Sequence, residues 1–163
     1  MANIDEWAEL ASQAMVESID VISDKIIDIL QREIENQGIG EPSKNGFYQP
    51  TGEFKQAWKN KIANRLGFEV QGGMEYDPTQ ITTFDPTYHN YIHGATSNDP
   101  VNENFPDLIF DGKSGSFFGQ GFWTQPRDAW SEMETYVDSN IDSWFDSEMN
   151  KRGFGGSGSI IKG

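Results

Sequence analysis

The feature that most constrains this chain is its first long stretch, residues 3–37, where no Pro or Gly interrupts the run before Gly38. Apolar residues fall at Ala8, Ala11, Met15, Ile19, Ile22, Ile26 and Ile29. Steps of three and four trace one face of an α-helix. Asn3 can cap the first turn, and Glu6 completes a capping-box start. Gly38 and Gly40 supply the stop, because Gly tolerates the left-handed turn that ends helices. At about 1.5 Å per residue the helix would be roughly 50 Å long, more than a compact domain of this size needs. A second apolar line runs through Val16, Ile27, Leu30 and Ile34. Two readings stand. Either both lines form one wide face covered by the chain's own sheet, or one line is spare and a neighbouring subunit covers it.

A chain of 163 residues is long enough for one domain with a real core, burying roughly 70% of its unfolded surface. Its 26 acidic and 12 basic side chains give a formal charge of -14. Such a chain is not drawn to nucleic-acid phosphates, so sequence-specific nucleic-acid binding is excluded and DNA would meet it only as a repelling wall. It has no Cys, which excludes disulfides and thiolate metal sites and fits a reducing compartment. No apolar run approaches membrane-spanning length, and the acidic start Met-Ala-Asn-Ile-Asp-Glu is unlike a signal peptide. The expectation is a soluble protein made in the cytoplasm, with no membrane partner.

A turn-rich connector follows at 38–50, with Pro42, Asn45-Gly46 and Pro50. Residues 51–61 read as a short helix, Thr51 at its N-cap and Phe54, Ala57, Trp58 and Ile62 on one side. Lys55, Lys59, Lys61 and Arg65 fall in or just beyond it, four of the chain's 12 bases. They form either a solvated face or a partner for an acidic neighbour. The spacing predicts strands at 66–70 and 79–84, the first broken by Gly72-Gly73, with a turn at Asp77-Pro78; together they suggest part of an antiparallel meander. Residues 87–93 read equally as a helical turn or a third strand. Residues 94–121 read as a long loop carrying Phe105, Leu108, Ile109, Phe110, Phe117 and Phe118, with a short strand at 107–110. A loop with so many apolar anchors is expected to dock on something.

The second long helix is expected at 126–152, with Pro126 in its first turn and Gly153 as its stop. Trp130, Met133, Val137, Ile141, Trp144 and Met149 make its core face, flanked by Tyr136 and Phe145. On another face Glu134, Asp138, Asp142 and Asp146 stand four apart. Like charges at that spacing cost a few tenths of a kcal/mol per pair, so the line suits water, a basic partner or a repulsive surface. Residues 153–163 read as a linker-like arm with Ile160-Ile161 as a hook for a neighbour. The fold class is therefore α+β: a long N-terminal helix and a C-terminal helix packed on a small antiparallel β-sheet, one domain over 1–152 with a loop insertion at about 94–121, and an extended arm at 153–163.

Catalytic signals are weak. Asp85, His89 and His93 stand four apart, but Pro86 sits inside the triplet and no His-Glu-x-x-His pattern supports zinc. No carboxylate pair, phosphate-binding Gly loop or nucleophile elbow stands out. No catalytic residue, metal ligand or cofactor site is assigned. The rivals to a structural role are a small aromatic-rich binding module for carbohydrate or peptide, using Trp123, Phe117, Phe118 and Tyr48, and a His-dependent metallohydrolase.

Three segments carry a resemblance. Thr51-Gly52-Glu53-Phe54-Lys55-Gln56-Ala57-Trp58 resembles the Thr-Gly-x-Leu-x-x-Ser element of the head–tail joining, or tail-completion, proteins of long-tailed bacteriophages. Tyr88-His89-Asn90-Tyr91-Ile92-His93-Gly94-Ala95-Thr96 is similar to that family's Tyr-x-x-Tyr-Val-Glu-x-Gly-Thr segment, and Phe122-Trp123-Thr124-Gln125-Pro126-Arg127-Asp128-Ala129 to its Pro-Phe-Leu-x-Pro-Ala approach to the last helix. The order of elements agrees as well. Trp58 replaces a small hydroxyl residue, His93 falls near the usual acid, Ala95 is inserted before Thr96, and the loop at 97–121 is long.

The resemblance implies a non-catalytic, ring-forming minor virion component of the neck or tail, assembled in the host cytoplasm between portal or adaptor and tail-tube or terminator proteins, with DNA only passing through. Within a homo-oligomeric ring, Lys55, Lys59, Lys61 and Arg65 are expected to meet Asp138, Asp142 and Asp146 of an adjacent subunit. Phe117, Phe118, Ile160 and Ile161 are the apolar interface candidates. Alternatively the acidic line faces the lumen and keeps DNA from sticking.

Overall fold

The computed structural model describes residues 3–38, 52–67, 69–80, 106, 110 and 128–155. The architecture is α+β, with a long first helix, a long last helix and a small two-stranded antiparallel sheet. In order these are α1 (Ile4–Asn36), α2 (Glu53–Gln56), β1 (Trp58–Leu66), β2 (Glu69–Tyr76), a 3₁₀ turn (Pro78–Gln80) and α3 (Ala129–Lys151). Contacts gather the chain into two units. The first takes Met1–Ile29, Lys59–Glu75 and Glu134–Gly163; the second takes Leu30–Trp58 and Tyr76–Met133.

The ends of α1 follow the local chemistry. The Asn3 side chain caps the helix by accepting from the Asp5 N–H at 3.4 Å, and the Glu6 carboxylate reaches back to accept from the Asn3 N–H at 3.3 Å, half of a capping box. At the other end Gly38 takes φ 62 and its N–H donates to the Glu35 carbonyl. Ile27, Leu30 and Ile34 are buried within the chain itself. These three of the second apolar line are therefore core, as the single wide face requires, and Val16 of the same line is half-buried.

In the first unit the buried apolar positions include Ala14, Ile22, Ile27 and Ile29 of α1, Ala63 of β1, and Val137 and Ile141 of α3. Ser18 and Ser23 are also buried, and each hydroxyl donates back to the carbonyl four residues earlier, at 2.7 and 2.9 Å. The hairpin is tied to α1 by polar contacts. Asn60 Nδ2 donates to Asp24 Oδ1 at 2.8 Å and to the Asp20 carbonyl at 3.2 Å. The Ala63 N–H donates to Asp20 Oδ1 at 2.6 Å. At Gly72 a Cβ would lie 2.5 Å from Ile19 Cγ2 and 2.9 Å from the Ala63 Cβ, so α1 and the hairpin meet through a missing side chain.

The second unit is built on aromatic rings. Trp58 lies 6.2 Å from Phe54, 5.3 Å from Tyr76, 5.6 Å from Trp130 and 6.2 Å from Phe110, centroid to centroid. Ala57, Ala129 and Met133 are buried in the same unit. The Gln31 amide donates to the Lys55 carbonyl at 3.2 Å, fastening α2 to the end of α1.

Several expectations are corrected. The segment 51–61 is not one helix: α2 is a single turn of four residues, and β1 begins at Trp58. The Asp77 N–H donates to the Ala57 carbonyl at 2.7 Å, so backbone pairing takes over where a helix would have continued. The strands are shifted as well. Residues 66–70 span the hairpin turn at Gly67, Gly72 and Gly73 lie inside β2, and 79–80 belong to the 3₁₀ turn. Phe110 has helical backbone, not strand. On α3 the cap is Asp128, whose Oδ1 accepts from the Ser131 N–H at 3.0 Å, and the first helical residue is Ala129. The turn at Asp77-Pro78 is present, with Asp77 Oδ1 accepting from the Thr79 N–H at 3.0 Å. The expectations for residues 39–50, 81–84, 87–93, most of the loop at 94–121, Pro126 and the arm beyond 155 lie outside the described residues.

Candidate interaction surface

All eight residues 3–10 at the start of α1 are exposed. They include Ile4 at 83%, Trp7 at 60% and Leu10 at 51% exposure. These three stand three apart, close to one helical turn, so they follow one side of the helix. What borders them is the end of α3. There Gly153 takes φ 84, its N–H donates to the Asn150 carbonyl at 3.0 Å, and the Phe154 N–H donates to the Met149 carbonyl at 2.9 Å. This is the Schellman ending, and it turns Phe154 toward α1. The Phe154 ring meets Trp7 edge-on at 5.6 Å. Between the two helix ends lies an open cleft of about 450 Å³, lined by Trp7, Leu10, Ala14, Glu17, Arg152 and Phe154 among others.

The charges on the cleft wall are already satisfied. Arg152 Nη1 donates to Glu148 Oε2 at 2.8 Å and to the Glu148 carbonyl at 2.9 Å, and its Nε donates to Glu17 Oε2 at 3.2 Å. Lys151 makes a second ion pair with Glu148. The hydrogen bonds from Lys151 and then Arg152 hold the Glu148 carboxyl below the usual Glu value, and Glu148 in turn raises the Arg152 guanidinium. A cleft with apolar flanks and paired charges suits an apolar side chain better than a reacting substrate.

A second uncovered surface lies on β1. Ile62 is 75% exposed and Leu66 53%. They stand four apart, on the side of the strand opposite Ala63, which borders Gly72 and Ile19. No protein-family model matches this chain, and no curated protein or solved structure does.

Of the four bases expected to act together, one lies on α2 and three lie on β1. Lys55 is on α2 and pairs with Glu35; Arg65 is on β1 and pairs with Glu9 at 2.7 Å. Lys59 and Lys61 are exposed on β1. Glu134, Asp138 and Asp142 are exposed along α3, and Asp146 is half-buried. Phe117, Phe118, Ile160, Ile161, Tyr48, Trp123, Asp85, His89 and His93 lie outside the described residues. Among the described residues no group of three His, Cys, Asp or Glu could hold a metal ion, and no helix is long and apolar enough to cross a membrane.

The rings brought together around Trp58 are core. Phe54 and Trp58 are buried, and Trp58 Nε1 and the Tyr76 hydroxyl are buried without a hydrogen-bond partner among the described residues. Burial, and secondarily the Asp77 charge, pushes the Tyr76 phenol well above its ordinary value. The sequence reading missed Ile4, Trp7, Leu10 and Phe154. The signal for the three on α1 is the spacing of three from Ile4 to Leu10, which stands apart from the isoleucine-rich lines; Phe154 carries none.

Proposed function

We propose that this chain is a structural component of a tailed-bacteriophage virion. It would be a head–tail connector, neck or tail-completion protein whose copies form a ring between portal and tail, with DNA passing through. The observation that carries the reading is the uncovered apolar surface of Ile4, Trp7, Leu10, Ile62 and Leu66 on a chain otherwise strongly acidic. Most of the exposed large apolar residues fall on α1 and β1, with Tyr136 apart on α3, and apolar residues gathered on a face are what a protein partner covers. The α+β order of elements supports the resemblance carried by the three motif segments. α2 starts directly after Gly52, and α3 begins at Ala129, the last residue of the third segment.

In this role the motif residues shape the fold and no side chain performs catalysis. Portal or adaptor and tail-tube or terminator proteins would bind the two faces of the ring. The acidic line Glu134, Asp138, Asp142 and Asp146 on α3, turned toward the channel, would repel DNA phosphates and let the duplex slide. Electron microscopy of the purified protein tests the reading. Closed rings with a central channel wide enough for duplex DNA are expected; particles that never rise above one or two copies would contradict it.

A further inference from the structure

The cleft between the start of α1 and the end of α3 opens where residues 156–163 begin. Gly153 and Phe154 line it, and Gly155 stays against the last turn of α3, where a Cβ would lie 2.9 Å from Asn150 Oδ1. Residues 156–163, outside the described residues, read Gly-Ser-Gly-Ser-Ile-Ile-Lys-Gly. They hold two large apolar side chains and a single charge, which is positive. Ile160 lies five positions beyond Gly155, so an extended connection spans about 17 Å. The α1 wall of the cleft runs from Trp7 to Glu17, roughly 15 Å at the helical rise. Ile160 can therefore reach any point on that wall, and the Gly and Ser between permit the reversal it needs.

The wall matches the segment in polarity and in charge. Trp7 and Leu10 are exposed there, and Glu17 is already paired with Arg152. Through positions 4–17 α1 carries Asp5, Glu6, Glu9 and Glu17 and no base, and Glu9 pairs with Arg65. Glu6 stands four positions before Leu10 and seven before Gln13, so it continues the side of α1 that lines the cleft. It is exposed, and its carboxylate accepts from the Asn3 N–H. Glu6 and Leu10 are about 6 Å apart along the helix. Ile160 and Lys162 are about 7 Å apart in an extended segment and project to the same side. With Ile160 on Leu10, Lys162 falls beside Glu6.

We infer that Ile160-Ile161-Lys162 folds back into the cleft of its own chain, covering Trp7 and Leu10 and setting Lys162 against Glu6. A short tether holds the segment at a local concentration in the millimolar range, which favours it over the same segment of another copy. The isoleucine pair expected to hook a neighbour thus closes on its own chain. Ile4, Ile62 and Leu66 do not line the cleft and are left for the contacts between copies proposed above. The inference does not rest on that reading.

The chain has no Cys, so introduced pairs report the contact directly. In the double variant Leu10→Cys with Ile160→Cys, oxidation should close a disulfide within one chain about tenfold faster, or more, than in Asp5→Cys with Ile160→Cys. Asp5 is exposed on the other side of α1. Mass spectrometry of digested protein reads the bond. An equimolar mixture of chains carrying Leu10→Cys alone and Ile160→Cys alone should give no covalent heterodimer. Lys162→Glu added to the first double variant should slow closure by about threefold at low salt. Equal rates for the two pairs would overturn the inference. So would heterodimers in the mixture, which would assign the cleft to a neighbouring copy and leave the ring reading standing. An unchanged rate with Lys162→Glu would overturn the pairing with Glu6.

Discussion

At position 72 one added carbon has nowhere to go, since it would sit 2.5 Å from Ile19 Cγ2 and 2.9 Å from the Ala63 Cβ. Gly72→Ala is expected to destabilise the fold by roughly 1–3 kcal/mol, the cost of overpacking a close contact. Urea denaturation measures it, and unchanged stability would show that α1 and the hairpin do not meet there. The sequence displays the pair Gly72-Gly73 but not what approaches it, so a site of close packing reads as a strand break. Glu148 offers a second test at this scale. Lys151 and Arg152 lower its carboxyl below the ordinary Glu value of 4.5. A group with a lowered folded value stabilises fully above the unfolded value and loses that contribution as pH falls through the folded one. The stability advantage of the parent over Glu148→Gln should therefore be largest near neutrality and shrink below about pH 4. Comparing the two chains isolates this group from the other carboxylates. An advantage that is constant with pH would mean that the pairing does nothing for the fold.

The elements were legible where local signals agreed. In α1 the absence of Gly and Pro, the Asn3–Glu6 capping box and Gly38 all indicate one helix, and α1 runs over Ile4–Asn36. The segment from Glu53 to Leu66 was not legible, because Phe54, Ala57, Trp58 and Ile62 fit a helical period while the chain folds as one turn and a strand. The deciding contacts come from residues distant in sequence: Asp20 takes the Ala63 N–H, Asp20 and Asp24 hold Asn60, and Asp77 pairs with Ala57. Short apolar runs are ambiguous for that reason. At the ends of α3, local chemistry is again sufficient. Asp128→Ala should cost about 0.5–2 kcal/mol in thermal or urea unfolding, and Asp128→Asn much less. Equal losses in the two variants would rule out the cap. Gly153→Ala meets open space but must adopt φ 84, so a loss of about 1 kcal/mol is expected from backbone conformation alone. A neutral Ala there would contradict the Schellman ending.

For the whole molecule, the α+β class was readable from two amphipathic helices and turn-separated strands, but the interaction surface was only partly so. The second apolar line of α1 reads from sequence either as part of one wide core face or as spare surface; the chain buries Ile27, Leu30 and Ile34 of it and half-buries Val16. The exposed large apolar residues among those described sit mostly on the first turns of α1 and on β1, with Val21 further along α1 and Tyr136 on α3, and periodicity cannot tell a core position from a contact with another molecule. Lys55 and Arg65 are engaged by Glu35 and Glu9 of the same chain, and exposed pairs of this kind add little to stability. Lys61 is exposed on β1. The central claim is that this surface is completed by other copies of the chain. Sedimentation equilibrium of the purified protein over a wide concentration range tests it most directly. A closed assembly with a single mass, a whole multiple of 18.4 kDa, is expected. A species of 18.4 kDa at every concentration would contradict it.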